Sequence, residues 1–206
     1  MGAEESFWTI ETPGAAEFTV RGSRFLGHVA PARSIAIAEE FIEEIRTAHP
    51  DATHVVPAYR VRSDPFREWS SDDGEPRGSA GKPIMTVLRG HELENVVTAV
   101  VRYYGGTNLG IGGLVRAYGE AAKQSIAAAE VVKRRPITDV RVEVVYDHSG
   151  TIRSILESTG VSFDATYGEV VTFEVQVPVD DENGVRERIL SATGGEATIE
   201  STHDSA

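Results

Sequence analysis

The sequence predicts an α+β protein of two domains, the second with the βαββαβ order of ferredoxin-like folds. Apolar residues recur at strand spacing and at helix spacing in turn along most of the chain. At Pro136 a new and regularly alternating series of elements begins. We therefore assign residues 1–135 to an N-terminal domain, residues 136–201 to a C-terminal domain and residues 202–206 to a disordered tail.

The first domain opens with a β-β-α-β series. Residues 17–21, 24–30 and 53–61 carry β-branched or aromatic residues at close to alternate positions, which is typical of strands. Between the last two strands, Ser34 can cap a helix whose apolar residues fall on one face and which ends at His49-Pro50.

The second half of this domain contains a long polar loop and a buried strand. Residues 62–82 are too polar for a core element and are predicted to form a functional loop. A short helix over residues 83–89 and a continuous apolar strand over residues 95–104 follow. A glycine-rich loop then leads into a helix that we expect to end near Lys133-Arg134-Arg135, where the helix macrodipole accounts for the basic residues.

The second domain alternates cleanly. We expect strands at residues 140–146, 161–167, 170–177 and 196–200, with helices at residues 151–158 and 181–191. Gly160, Gly168 and Gly194-Gly195 stand at the expected joints between these elements. The series is therefore the split βαβ arrangement of a ferredoxin-like domain.

Composition excludes several classes of chemistry. The chain has no cysteine, so disulfides, thiolate zinc sites and cysteine nucleophiles are absent. The sequence predicts neither a signal peptide nor a membrane span, and we expect a cytoplasmic protein.

The charge of the chain is strongly negative and unevenly divided. The net charge is −12, and only three of the 20 basic residues are lysines. This balance predicts adaptation to high salt, as in a halophilic archaeon, although an ordinary acidic protein remains an alternative. Most basic residues precede Pro136, so a phosphate-bearing partner would meet the N-terminal domain.

The glycine-rich loop is the strongest local signal for binding. Glycines between a buried strand and a helix allow the backbone to approach a ligand and present amide N–H groups to an anion. The alternative is that they only permit a tight turn and close packing. The candidate residues for phosphate or RNA contact are Lys82, Arg102, Tyr103, Tyr104, Gly105, Gly106, Gly110, Gly112, Gly113, Arg116 and Tyr118.

A second candidate site is the acidic loop. Asp72, Asp73 and Glu75 could hold Mg²⁺ or serve as acid and base, or they could simply bond backbone amides of a solvated turn. The spacing of Gly110 and Gly112 does not fit a dinucleotide fingerprint, and Pro83 after Lys82 rules out a P-loop. Histidine pairs and a nucleophile elbow are also missing from the sequence.

These segments closely resemble the signature of the IMPACT/YigZ family. Its blocks are Ser71-Asp72-Asp73-Gly74-Glu75-Pro76, Gly78, Ala80-Gly81-Lys82-Pro83, Arg102-Tyr103-Tyr104-Gly105-Gly106, Leu109-Gly110 and Gly112-Gly113-Leu114-Val115-Arg116-Ala117-Tyr118, with earlier matches at Ser23-Arg24-Phe25, Ala52-Thr53-His54 and Ala58-Tyr59-Arg60. The resemblance spans about residues 17–130 and is far more specific than a short motif.

The resemblance implies a ribosomal-protein-domain-2-like N-terminal fold with a left-handed βαβ crossover, followed by a YigZ-type ferredoxin-like domain. Both domains are similar to domains of elongation factor G. Eukaryotic relatives act as translational regulators and are not known as enzymes. The chain departs from the family pattern at Val55-Val56-Pro57, where Cys is often found, and at Asn108, where Lys is frequent.

Three functional hypotheses follow. The first is a non-enzymatic regulator that binds RNA, the ribosome or a translation factor through the surface from Ser71 to Tyr118, with no cofactor. The second is a magnesium-dependent enzyme acting on a nucleotide or phosphoester. The third is a protein-interaction adaptor. The sequence indicates no membrane partner and no DNA specificity, and it leaves the oligomeric state open.

Overall fold

A computed structural model describes residues 6–63 and 65–202 of the chain. It divides into two compact units, one of residues 7–134 and one that begins at Arg135. The prediction of a two-domain α+β protein is confirmed. No helix in the described ranges has the length and apolar character needed to cross a membrane.

The first unit is built on an antiparallel sheet of five strands in the order β2-β3-β6-β4-β5. A separate pair, β1 and β7, forms a second small sheet. The elements are β1 (Phe7–Thr12), β2 (Gly14–Val20), β3 (Ser23–Pro31), α1 (Ile35–Ala48), β4 (His54–Val61), β5 (Arg67–Ser70), α2 (Gly81–Gly90), β6 (Val96–Tyr103), α3 (Gly110–Ala127) and β7 (Glu130–Arg134).

Strand β6 is the centre of this unit because both of its faces are buried. Val96 and Val100 pack into a core shared with α2 and α3. Val97 faces the opposite core, which contains Ala38 and Ile42 of α1. The prediction of a strand covered on both faces is confirmed, and Ser34 caps α1 as expected, since its Oγ accepts from the Ile37 amide at 3.3 Å.

The sequence did not predict strands β1, β5 and β7, and the prediction that the basic cluster ends helix α3 was wrong. Helix α3 ends at Ala127, and Lys133 and Arg134 belong to β7, which pairs with β1. The helix macrodipole therefore cannot account for them. Arg134 bonds Glu11 at 2.5 Å across the two strands. Strand β5 lies within the predicted polar loop; it is an edge strand and needs no apolar face of its own.

The second unit is a four-stranded antiparallel sheet in the order β11-β8-β10-β9, with the two helices buried against it. Its elements are β8 (Ile137–Val144), α4 (Tyr146–Thr159), β9 (Ser162–Tyr167), β10 (Val171–Pro178), a short 3₁₀ turn (Val179–Asp181), α5 (Glu182–Ala192) and β11 (Thr198–Thr202). The ferredoxin-like prediction is confirmed. Strand β11 includes Thr202, and the rest of the predicted tail lies outside the described residues.

Helix α3 lies unusually close to the sheet because two strand positions have no side chain. A Cβ atom on Gly27 of β3 would stand 2.3 Å from the Ala121 carbonyl oxygen, and one on Gly14 of β2 would stand 2.2 Å from that of Ser125. Neither distance is sterically allowed. The position of α3, and hence of the loop that precedes it, depends on these glycines.

We expect Gly27→Ala to lower the free energy of unfolding by about 1–3 kcal/mol, because the new methyl group must displace helix backbone. Urea unfolding checks this. The control is Gly119→Ala within α3, where a Cβ would lie 3.9 Å from Val87 Cγ2 and alanine favours the helix by up to about 1 kcal/mol. Equal stability of the two variants would contradict the close approach of helix α3 to strand β3 at Gly27.

Candidate functional site

The family signature contains a buried cluster centred on Glu75. Its Oε1 accepts hydrogen bonds from Arg102 Nη1 at 2.5 Å and from the Tyr118 hydroxyl at 2.7 Å. The three residues are 8%, 5% and 0% exposed, so the carboxylate and the guanidinium form a buried ion pair. One atom thus joins the loop after β5, the end of β6 and the middle of α3.

Ser23 and His54 extend this cluster. The Ser23 hydroxyl is bonded to Arg102 Nη2 at 3.4 Å and accepts from the Gly105 amide at 3.2 Å. His54 Nδ1 donates to the Asp73 carbonyl at 2.6 Å, while its Nε2 lies 3.8 Å from Glu75 Oε1. The first residue of the glycine-rich loop is therefore tied to the buried cluster.

The environment of Tyr118 keeps its hydroxyl protonated. Burial raises its pKa, and the hydrogen bond to Glu75 and the charge of that carboxylate raise it further. The hydroxyl is consequently a permanent donor to Glu75 and is not available as a general base.

Asp72 and Asp73 are bonded to backbone amides. Asp72 accepts from the amides of Gly78 at 2.6 Å, Ala80 at 3.0 Å and Gly81 at 2.9 Å, which satisfies the start of α2. Burial raises the Asp72 pKa, but these hydrogen bonds outweigh it and the net pKa is lowered. Asp73 Oδ2 accepts from the amide of Val55 at 2.7 Å.

The geometry gives no support to a magnesium site at Asp72, Asp73 and Glu75. Within residues 6–63 and 65–202, no group of three or more histidine and acidic side chains is arranged to hold a metal ion. Both carboxylate oxygens of Asp72, Oδ2 of Asp73 and Oε1 of Glu75 instead accept from amides, Arg102 and Tyr118. The structure therefore favours the alternative of a hydrogen-bonded turn.

The glycine-rich loop itself is exposed. Gly105 is pressed against Gly22, since a Cβ at Gly105 would stand 1.9 Å from the Gly22 carbonyl carbon. Gly106 and Gly110 have φ of 83° and 67°, in the left-handed region that favours glycine. Leu109, at the N-cap of α3, offers no side-chain hydrogen bond, but Asn108 Oδ1 accepts from the Gly110 amide at 3.2 Å. The loop is therefore held in place at Gly105, while most of its backbone is exposed to solvent.

The predicted binding residues differ in how far they are exposed to solvent. Arg102 and Tyr118 are buried and bonded to Glu75, so the structure corrects the prediction that they contact a ligand directly. Tyr103 is half-buried and bonds His49 Nδ1 at 2.9 Å. The exposed or partly exposed candidates are Lys82 on α2 and, on the loop and α3, Tyr104, Gly105, Gly106, Gly110, Gly112, Gly113 and Arg116.

Sequence reasoning assigned no role to Ser23, and it missed the turn formed by Arg21 and Gly22. Both turn residues have positive φ, at 47° and 80°, between the paired residues Val20 and Ser23. Two residues between two strand-like runs, the second of them glycine, are a hairpin signal. The sequence therefore contained enough information to predict this turn.

Comparison with known proteins covers both units. The Impact N-terminal domain matches residues 21–126, and DUF1949, a domain of unknown function, matches residues 142–196. IMPACT family member YvyE of Bacillus subtilis (strain 168) is 33% identical over 94% of this chain and 90% of its own. An IMPACT family member in the pol 5′ region of Thermus thermophilus is 36% identical over 84% of this chain and 93% of its own.

A crystal structure of a hypothetical protein matches with a TM-score of 0.73 and 28% identity, over 97% of this chain and 98% of that one. The fold and the matched segments define a two-domain protein that joins an Impact N-terminal domain to a DUF1949 domain. The chain belongs to the IMPACT family.

We expect Glu75→Gln to lower the free energy of unfolding by about 3–5 kcal/mol, because it leaves the buried Arg102 without a counter-charge. Tyr118→Phe removes one hydrogen bond to a charged acceptor and should cost about 1.5–3 kcal/mol. Tyr103→Phe, at a half-buried hydrogen bond to His49, is the control and should cost about 1 kcal/mol. Urea unfolding ranks the stabilities of the three variants. A Glu75→Gln variant as stable as Tyr103→Phe would contradict the buried ion pair.

The pH dependence of the stability of Asp72→Asn tests whether the ionised Asp72 carboxylate stabilises the fold through its bonds to backbone amides. Because the folded pKa lies below the unfolded value of 3.8, the ionised group stabilises the fold above that pH. We expect the variant to be about 1.5–3 kcal/mol less stable at pH 7, and the gap to close as the pH falls through the lowered pKa. Asp51→Asn, at an exposed turn, serves as the control and should change the stability at pH 7 by no more than about 0.5 kcal/mol.

Proposed function

We propose that this protein is a non-enzymatic, cytoplasmic regulator of translation that binds RNA, the ribosome or a translation factor through the exposed part of its signature. The supporting observation is the division of that signature into two sets. One set is buried and holds the loop in place, as Glu75, Arg102 and Tyr118 do. The other set is exposed, and, apart from Gly105, packing does not account for its residue types.

The exposed set has chemistry suited to RNA. The Gly112 amide in the first turn of α3 can donate to a phosphate oxygen, while the Gly110 amide is bonded to Asn108 Oδ1, and the helix dipole favours an anion there. Arg116 supplies a cation, and Tyr104, 51% exposed, offers a face on which a base can stack. Stacking on an aromatic side chain contributes about 1–3 kcal/mol per base. A single-stranded or loop segment of RNA is the partner that uses all three features.

The acidity of the chain sets a condition on this binding. If the protein works in high salt, as its composition predicts, long-range attraction is screened because the Debye length at 1 M is only about 3 Å. Asn108, where relatives frequently carry Lys, also removes a cation from the loop. Binding would then depend on short hydrogen bonds and stacking, which salt weakens less than ion pairing.

We expect Tyr104→Ala and Arg116→Ala each to lower the affinity for ribosomes or structured RNA by about tenfold, because each removes one direct contact. The measurement is sedimentation at low salt and at the salt concentration of the native cytoplasm. Lys123→Ala is the matched control, since Lys123 is exposed on the same helix two turns beyond Arg116.

Equal losses in Arg116→Ala and Lys123→Ala would indicate diffuse charge attraction rather than a site at the loop. Unchanged sedimentation in Tyr104→Ala and Arg116→Ala would show that the loop is not the contact. Binding to proteins but not to RNA would instead support the adaptor hypothesis.

A further inference from the structure

A cavity of about 230 Å³ lies between strand β2 and helix α3. Its apolar wall is formed by Phe18, Val20, Leu109 and Ala117. Engineered apolar cavities of about 150 Å³ bind benzene, and sites for drug-sized ligands exceed about 300 Å³. The space therefore suits one aromatic ring or one branched aliphatic group.

Two arginines line the same cavity. Arg21 reaches it from the β2–β3 turn, and Arg116 reaches it from α3. In the described part of the chain, neither guanidinium has a hydrogen bond or an ion pair, whereas Arg24, on the adjacent strand, is paired with Glu17. A protein with a net charge of −12 has many carboxylates that could pair with these two cations. Their free state leaves them available to an anion.

The backbone at Arg21 is also strained. Its φ of 47° lies in the left-handed region, where glycine and asparagine are preferred and a long side chain is disfavoured. The turn would form more readily with Asn at this position. Strain that persists at one residue in a rigid surrounding points to a role for its side chain, and here that side chain lines the cavity.

The third charged group of the cavity is Glu120, whose carboxylate accepts a hydrogen bond from Gln124 Nε2 at 2.8 Å. Two cations therefore face one carboxylate that already has a donor. The remaining positive charge favours a monoanion or dianion over a neutral ligand.

We propose that this cavity binds a small organic anion. Its apolar part, about the size of one aromatic ring, lies against Phe18 and Leu109, and its carboxylate or phosphate is held by Arg21 and Arg116. This site shares Arg116 with the proposed RNA contact, but it uses Arg21 and the apolar wall, which the RNA contact does not, and it does not use Tyr104. The fixed position of the turn supports the proposal, because Gly22 is held against Gly105 at the base of the loop.

The test is NMR titration of the full chain with four probes. Phenyl phosphate and phenylacetate carry both parts of the ligand, inorganic phosphate carries only the charge, and benzyl alcohol carries only the ring. We expect the first two to shift the amides of Val20, Gly113 and Ala117 saturably, with affinities at least about tenfold higher than those of the other two. Inorganic phosphate that binds as tightly as phenyl phosphate, or no binding by any probe, would overturn the proposal.

Arg21→Asn separates a binding role from a structural one. Asparagine suits the positive φ, so the urea midpoint should rise, while the affinity for phenyl phosphate should fall by about tenfold or more. Arg116→Ala should lower the affinity similarly. The control is Glu92→Asn, which relieves the positive φ of 53° at another exposed turn and should leave the affinity unchanged.

The same variants distinguish this site from the RNA surface. We expect Arg21→Asn to keep wild-type co-sedimentation with RNA and Tyr104→Ala to keep wild-type affinity for phenyl phosphate. If Arg21→Asn retains full affinity for phenyl phosphate, or loses RNA and phenyl phosphate together, the assignment of a small-anion site at Arg21 is wrong.

Discussion

The geometry of the first unit depends on one buried carboxylate. Glu75 is removed from water, and the desolvation of an ion of this kind costs several kcal/mol unless close donors compensate it. Arg102 and Tyr118 provide those donors, at 2.5 Å and 2.7 Å. Because they belong to β6 and α3, satisfying one oxygen fixes a loop, a strand and a helix relative to one another. Removal of Glu75 or Arg102 leaves the other charge buried without its partner, which is strongly destabilising.

The close contacts of glycine act together with this cluster. Gly27 lets α3 rest on the sheet, and Gly105 lets the loop rest on the turn at Gly22. A polar network cannot form at hydrogen-bond distance if the elements that carry it are held apart by side chains. The backbone approach is therefore a precondition for the Glu75 contacts. Both together leave most of the segment between Tyr104 and Gly112 exposed, with Leu109 buried and each end anchored.

Periodicity was sufficient to predict the elements whose faces are buried and insufficient for those at the edges. Strand β6 and the ferredoxin-like unit were predictable because apolar spacing follows from burial. Strand β5 is polar and lies at an edge of the sheet. Strand β1 pairs with a segment about 120 residues away, which no local pattern encodes. Arg102 and Tyr118 have the residue types of an RNA contact, but their burial follows from how α3 packs on β6, which is a tertiary property. The sequence could not decide whether Asp72 and Asp73 bind a metal ion or backbone amides, because that also depends on tertiary contacts.

The pairing of β1 with β7 has a consequence for the architecture of the chain. Phe7 and Arg134 are register partners, so the polypeptide enters and leaves the first unit at adjacent points. A domain with neighbouring ends can be inserted into a host loop, or have its ends joined and new ones opened, with little disturbance of its interior. The same closure means that the unit can be attached to a different C-terminal domain without changing its own path, so it is suited to reuse as a transferable module.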